Sequence, residues 1–354
     1  MITMQQIIKS SNLSNDVEKI IKNIRHDKLF IVTDEQTHVH CLPLLEMVPS
    51  LRETVEIVIP AGDTHKTLEN LSKVWQMLTL NGATRHSLLV NLGGGMVTDL
   101  GGFAAATFKR GIKYINIPTT LLGAVDAAVG GKTGINFEGF KNEIGAFYPS
   151  DYVIISANFF RTLDQRAILS GYAEMLKHAL IHSAADWEKL LLFPLSDIDY
   201  KQLNELVFRS VGIKRGIVEK DPYEKNIRKA LNLGHTTGHS FESFAISSDT
   251  PVPHGYAVAW GMIVELYLSH RICNFPKEKL LKTVRFIQEH YGAFPITCDH
   301  YETLYDIAGH DKKNVGKHIN FTLLSEIGNV QIDQTTSKEL FFEALDFYRD
   351  SVGL

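Results

Sequence analysis

Over the first 155 residues, short apolar runs alternate with amphipathic stretches. The runs at residues 29–33, 55–59, 88–92, 114–117 and 152–155 are rich in Val, Ile and Leu and too short for helices, which marks them as buried strands. Between them lie stretches of helical period, residues 68–80 being the clearest. Buried strands joined by crossover helices predict a parallel sheet covered on both faces, a Rossmann-like α/β nucleotide-binding domain. Past residue 155 the pattern changes to long helical periods at residues 165–192, 203–219, 226–245, 257–272 and 277–291, and strand signals nearly vanish. The change puts a boundary at residues 156–163, with an α/β domain over 1–158 and a mostly α-helical domain over 159–354. Residues 247–253 form the main irregular insertion, and no internal repeat or low-complexity tract is present.

At 354 residues the chain can bury two cores. A hydrophobic share of 44% and a charged share of 21% are ordinary for a globular protein and leave that picture unchanged. The net charge of -4 gives no reason to expect nucleic acid or a membrane as partner, since both favour a strongly basic face. Cys41, Cys273 and Cys298 are far apart and form no CxxC pair, so neither a disulfide framework nor a thiolate zinc cluster is expected. With no basic leader and no apolar run of about 18 residues, the expectation is a soluble, unprocessed, cytoplasmic chain.

Two distant segments carry candidate metal chemistry. One is Ser170-Gly171-Tyr172-Ala173-Glu174-Met175-Leu176-Lys177; the other runs from Asn232 through Gly234, His235 and His239, with Pro253-His254-Gly255 following. A mixed oxygen and nitrogen donor set with one position left open is what catalytic zinc needs to polarise an oxygen. His235 and His239 are four apart and share a helix face, but the glutamate of a metalloprotease HExxH is missing, which argues against peptide hydrolysis. Glu174, His178 and His182 also recur at steps of four. Three such ligands along one straight helix spread over about two turns, too far for one small ion, and a helix-face reading of His178 and His182 is preferred. His254 reads either as a ligand or as a loop histidine at a helix start.

Upstream, Gly93-Gly94-Gly95-Met96-Val97-Thr98-Asp99 follows an apolar strand and opens a helix, the geometry that holds a pyrophosphate. It does not match GxGxxG, so a tight turn without ligand stays open. Asp34, ending a strand, suits either a ribose or an exposed loop. Residues 126–136, with Asp126 and Lys132 and with Lys141-Asn142 close behind, are glycine-dense and cationic and read as an anion-wrapping loop. Lys109-Arg110, Lys214-Arg215, Arg228 and Lys312-Lys313 are either ordinary surface charge or the contacts of an acidic, phosphorylated small substrate. Metal plus dinucleotide points to redox chemistry on a hydroxyl.

The ordered set of motifs resembles the 3-dehydroquinate synthase family over most of the chain, from about Asp34 to Lys313. It comprises Gly93 to Asp99 with Gly101-Gly102-Phe103, Arg110-Gly111, Pro118-Thr119-Thr120-Leu121-Leu122, Asp126 to Asn136, and Lys141-Asn142-Glu143-Ile144-Gly145-Ala146-Phe147. Glu174 to Lys177, Asn232 to His239, His254-Gly255 and Asp311-Lys312-Lys313 complete it. The resemblance implies a dehydroquinate synthase-like fold and conversion of 3-deoxy-D-arabino-heptulosonate 7-phosphate into 3-dehydroquinate and phosphate. The steps it implies are transient oxidation by NAD, phosphate elimination, re-reduction and intramolecular aldol closure, within the shikimate pathway.

On the same basis, zinc or cobalt falls to Glu174, His235 and His254, which moves His239 from metal ligand to substrate contact. NAD falls to Asp34, Asp63, Lys66, Gly94, Gly95, Asp99, Thr119, Thr120, Lys132, Lys141 and Thr162. The implied catalytic and substrate set is Arg110, Asp126, Lys132, Asn142, Lys177, Lys214, Arg228, Asn232, His239 and Lys312 or Lys313. Arg110 is implied to reach a neighbouring subunit, hence a homodimer. Two positions depart from the family pattern: Asp63 stands where glutamate is usual, and Ala127-Ala128 lacks a usual serine hydroxyl beside Asp126. Neither removes a charge or a metal ligand. The rivals are another sugar phosphate cyclase, whose substrate lacks the carboxylate suited to Lys214 and Arg228, a metal-dependent polyol dehydrogenase of the glycerol type, and a catalytically dead sugar-phosphate sensor.

Overall fold

The computed structural model describes residues 5–138, 140–309 and 319–353. The chain forms two compact units, Met1–Asp164 with Asp199–Arg215, and Gln165–Ile198 with Gly216–Leu354.

Among the described residues, eight strands belong to the first unit: β1 (Gln6–Lys9), β2 (Leu29–Asp34), β3 (Val55–Ile59), β4 (Leu88–Gly93), β5 (Lys113–Pro118), β6 (Lys132–Phe137), β7 (Phe140–Phe147) and β8 (Tyr152–Ile155). Six of them make one sheet in the order β1-β8-β5-β4-β2-β3, every neighbouring pair parallel. Helices α1 (Leu13–Asn23), α2 (Glu35–His40), α3 (Leu68–Leu80) and α4 (Gly95–Thr107) occupy its connections. Leu71, Val74 and Leu78 of α3 and Val97, Leu100 and Ala104 of α4 are buried with Phe30, Val32, Ile57 and Leu89 of the strands. Each of these Val, Leu, Ile and Phe side chains contributes about 1.5–3 kcal/mol by leaving water.

The chain moves outward from β2 to β3, then returns to β4 and proceeds the other way, so the strand order reverses between β2 and β4. Ligands of open α/β sheets bind beyond the carboxyl ends of strands at such a reversal. Gly93 pairs with Pro118 in register, so the glycine turn after β4 and Thr119-Thr120 after β5 leave the same edge of the sheet together.

The glycine-dense stretch expected as a loop runs into a strand from Lys132 onward. β6 and β7 form an antiparallel hairpin in which Gly134 faces Gly145. A Cβ on Gly145 would lie 2.1 Å from the Thr133 carbonyl oxygen, and one on Gly134 2.6 Å from that of Ile144. These glycines allow close strand approach and are no sign of a loop. Asp126 sits before the hairpin in a single π turn, Gly123–Ala127.

Helix α7 (Tyr200–Lys220) begins in the first unit, while α5 (Gln165–Leu180), α6 (Ala184–Leu191), α8 (His235–Ser247), α9 (His254–Cys273), α10 (Lys277–Tyr291), α11 (Tyr301–Gly309) and α12 (Lys338–Val352) build the second. The helical period over 165–192 hides a break: α5 ends at Leu180, and Ser183 N-caps α6 by accepting from the Asp186 amide. The period over 226–245 is also interrupted, by a 3₁₀ turn Ile227–Asn232 and by Gly234 at φ +79°. A hairpin of β9 (Phe321–Glu326) and β10 (Asn329–Gln334) was not expected; its register shifts and Asp333 at φ +55° disrupt the alternation that would reveal it. No helix of the described residues is long and apolar enough to cross a membrane.

Candidate functional site

In the first unit, β4 delivers the chain into the α4 N-terminus through Gly93, Gly94 and Gly95. A Cβ on Gly93 would lie 2.5 Å from Val97, and one on Gly94 3.0 Å from Thr120 Cγ2. Gly94 is the N-cap and has no side chain, so the first-turn N–H groups of α4 are left to an external acceptor. Thr119 N donates to the Gly93 carbonyl (2.9 Å), and Thr120 Oγ1 accepts from Gly123 N (3.0 Å), which ties the two strand ends together.

Beside this turn lies a charged network. Buried Lys66 donates to Asp99 Oδ2 (3.1 Å) and Asn142 Oδ1 (2.5 Å) and faces Asp63 (3.5 Å), which also meets Lys141 (3.2 Å). Burial pushes the Asp99 carboxyl up to about 6 although Lys66 pulls the other way. For Asp63 burial is outweighed by Lys66 and Lys141, which hold its carboxyl below the usual range. Asn142 adopts φ +53°. Lys132 is exposed at the start of β6, and exposed Thr162 donates to the Phe159 carbonyl (3.1 Å).

Asp34 corrects the exposed-loop alternative. It is buried and N-caps α2, its Oδ1 accepting from Gln36 N and Thr37 N at 2.9 and 2.8 Å. Lys214, also buried, is ion-paired to the Asp126 carboxylate and donates to the Asp126 carbonyl (2.6 Å). Arg110 is exposed at φ +68°, between Lys109 at φ +48° and Gly111 at φ +113°.

In the second unit, three helices each contribute one group to a buried centre. Glu174 projects from α5, and His235 and His254 are the first residues of α8 and α9. His235 Nε2 and His254 Nε2 lie 3.3 and 3.5 Å from the same atom, Glu174 Oε1, while Lys177 is ion-paired to Oε2. Neither Glu174 oxygen has a well-aligned hydrogen-bond donor among the described residues, although the carboxylate is fully buried. The far side of each imidazole is engaged: His235 Nδ1 donates to the Leu233 carbonyl (3.2 Å) and His254 Nδ1 to Glu242 (3.1 Å). A carbonyl and a carboxylate only accept, so both rings hold a proton on Nδ1 and turn Nε2 toward Glu174.

Burial would raise the Glu174 carboxyl, but Lys177 and His235 overcome it and hold the group well below the usual carboxylate range. Burial and Lys177 push His235 down to about 3, leaving it neutral. Burial opposes charge on His254 as well, yet Glu242 and Glu174 raise it to about 10. A carboxylate and two imidazoles facing one point, each backed by a further group, suit a divalent cation. His239 lies one turn along α8, its ring 5.3 Å from that of His235 and 5.8 Å from that of His254.

The rival row of Glu174, His178 and His182 is broken by the end of α5 at Leu180; His182 instead bonds Asp186 (2.6 Å). Arg228 is buried and donates to the Pro222 carbonyl (2.6 Å), and Asn232 donates to Glu224 (3.0 Å). Lys312 and Lys313 lie outside the described residues. Glu242 and Glu265 were missed in the sequence. Neither stands in a motif, and what they bond is visible only once α8 and α9 are packed.

Residues 56–170 match the family model for the 3-dehydroquinate synthase N-terminal part and residues 171–314 that for the C-terminal part. A 3-dehydroquinate synthase of Parabacteroides distasonis is 52% identical over 350 residues, covering 99% of each chain. Among solved structures, a 2-deoxy-scyllo-inosose synthase complexed with carbaglucose-6-phosphate, NAD+ and Co2+ superposes with a TM-score of 0.85 at 23% identity, over 96% of this chain and 95% of that one. The 2-epi-5-epi-valiolone synthase of Streptomyces hygroscopicus, with NAD+ and Zn2+ bound, gives 0.83 at 22% identity, over 99% of this chain and 98% of that one. The two structures share the fold; the sequence match over the full length is what shows that this chain belongs to the 3-dehydroquinate synthase family.

Proposed function

We propose that this chain converts 3-deoxy-D-arabino-heptulosonate 7-phosphate into 3-dehydroquinate and phosphate, using NAD and a divalent metal. The observation that carries the metal dependence is the convergence of His235 Nε2 and His254 Nε2 on one oxygen of buried Glu174. Glycines that a Cβ would crowd, at the open N-terminus of α4, support NAD. The cyclases of similar fold, solved with NAD+ and Co2+ or Zn2+ bound, agree with both. Residues 1–158 then serve as the NAD-binding domain and 159–354 as the metal- and substrate-binding domain.

When bound, the metal at Glu174, His235 and His254 supplies Lewis-acid chemistry and NAD a reversible hydride acceptor. The chain's own part is positioning and charge. Lys132, Asn142, Lys177, His239 and a lysine of Lys312-Lys313 hold the phosphate, and Lys214 and Arg228 the carboxylate, through charge-assisted hydrogen bonds. Asp126 keeps the Lys214 ammonium in place and Asn232 orients the substrate hydroxyls. Arg110 extends to a second copy of the chain, which makes the enzyme a homodimer.

Phosphate release from the heptulosonate phosphate, measured with and without NAD and a chelator, tests this reading. Release that needs both, with no NADH accumulating, is the expected result. NADH formed from glycerol with no phosphate release would instead place the chain with the polyol dehydrogenases.

A further inference from the structure

Glu265 belongs to none of the motifs, yet it is fully buried in α9, three turns from His254. Its Oε2 accepts from Gly234 N (2.6 Å) and its Oε1 from Thr237 N (2.9 Å), so one carboxylate from α9 caps the first turn of α8. Gly234, the residue at the N-cap, cannot do this itself, having no side chain. The two helices meet almost backbone to backbone: a Cβ on Gly261 would lie 2.2 Å from the Gly234 carbonyl oxygen, and one on Gly238 2.9 Å from that of Ala257. Contact this close lets the glutamate reach the amides, and the glutamate fixes how far α8 is rotated against α9. Since His235 and His254 are the first residues of these helices, their mutual placement follows.

Charge acts in the same direction. The N-terminus of α8 carries the positive end of the helix dipole, equivalent to about half an elementary charge, beside the position where a cation would sit. A buried carboxylate on its amides offsets that repulsion.

We infer that Glu265 is a positioning residue for the metal centre: by capping α8 from α9 it holds His235 in place relative to His254 and raises metal affinity without touching the metal or the substrate. The inference rests on the metal reading above. The test is zinc affinity of the purified full chain, by competition with a chromogenic chelator, for wild type, Glu265→Gln and Glu265→Asp, with circular dichroism as a control of folding. Glutamine keeps the volume but only one accepting oxygen; aspartate keeps the charge but is one methylene short. Each is expected to weaken zinc about ten- to hundredfold, the usual effect of removing an outer partner of a metal ligand. Should one variant not fold, the other decides. Wild-type zinc affinity in a folded variant, even with a lowered melting temperature, would reduce Glu265 to a structural cap and overturn the inference. Failure of the wild type itself to bind zinc would sink the metal reading instead, so the two failures are distinguishable.

Discussion

The glycine turn of the first unit and the cluster of Glu174, His235 and His254 in the second are held by different means. At the turn, the backbone does the positioning: a Cβ has no room at Gly93 and would be crowded at Gly94 and Gly95, and the neighbouring charges of Lys66, Asp63, Asp99 and Lys141 satisfy one another. At the cluster, His235 and His254 from two helices meet one carboxylate oxygen of Glu174 from a third, and each imidazole depends on a further group behind it. The first region should therefore respond sharply to changes of volume at its glycines. The second should tolerate little change of either donor atoms or their supports.

The sharpest break of this contrast is Glu174→Gln. Losing the carboxylate forfeits several kcal/mol of charge stabilisation, about a thousandfold in turnover, and zinc retention measured by metal analysis should fall with it. Glu242→Gln weakens the support of His254 and should cost about ten- to hundredfold in zinc affinity while NAD affinity stays as in wild type. Gly94→Ala inverts the pattern. Its Cβ crowds Thr120 at 3.0 Å, and overpacking of about 1–3 kcal/mol predicts a loss of about ten- to hundredfold in NAD affinity by titration, with zinc affinity unchanged. If Gly94→Ala weakened zinc as much as NAD, the separation of the two regions would be wrong.

The smallest effect concerns pH. The Asp99 carboxyl is raised to about 6, above its ordinary value, so the folded state binds its proton more tightly than the unfolded state. The stability it contributes is complete below pH 4 and is lost as pH rises through 6. Melting temperatures of wild type relative to Asp99→Asn should accordingly decline between pH 4 and 7; parallel curves would show that Asp99 does not titrate there.

Much of this was legible in residue order. Apolar runs of strand length separated by helical periods specify the parallel sheet, because a strand buried on both faces must be apolar throughout. Glu174, His235 and His254 stand in motifs whose order resembles one family, and the match over the whole chain bears that resemblance out. What the order could not convey was which glycines are loops and which are contacts. Gly134 read as part of an anion-wrapping loop, but it faces Gly145 across a hairpin, and that pairing is a property of two segments, not of either alone.

The sequence by itself determined the fold class, the family and the chemical types at the site, since periodicity and motifs are local and survive without coordinates. Only the tertiary structure decided that Asp34 is a helix cap, that Asp126 grips Lys214, and that Glu242 and Glu265 stand behind the histidines. The reason is physical. A carboxylate acquires its role from the donors brought within about 3 Å of it, and for Glu265 those donors lie 28 and 31 residues away along the chain.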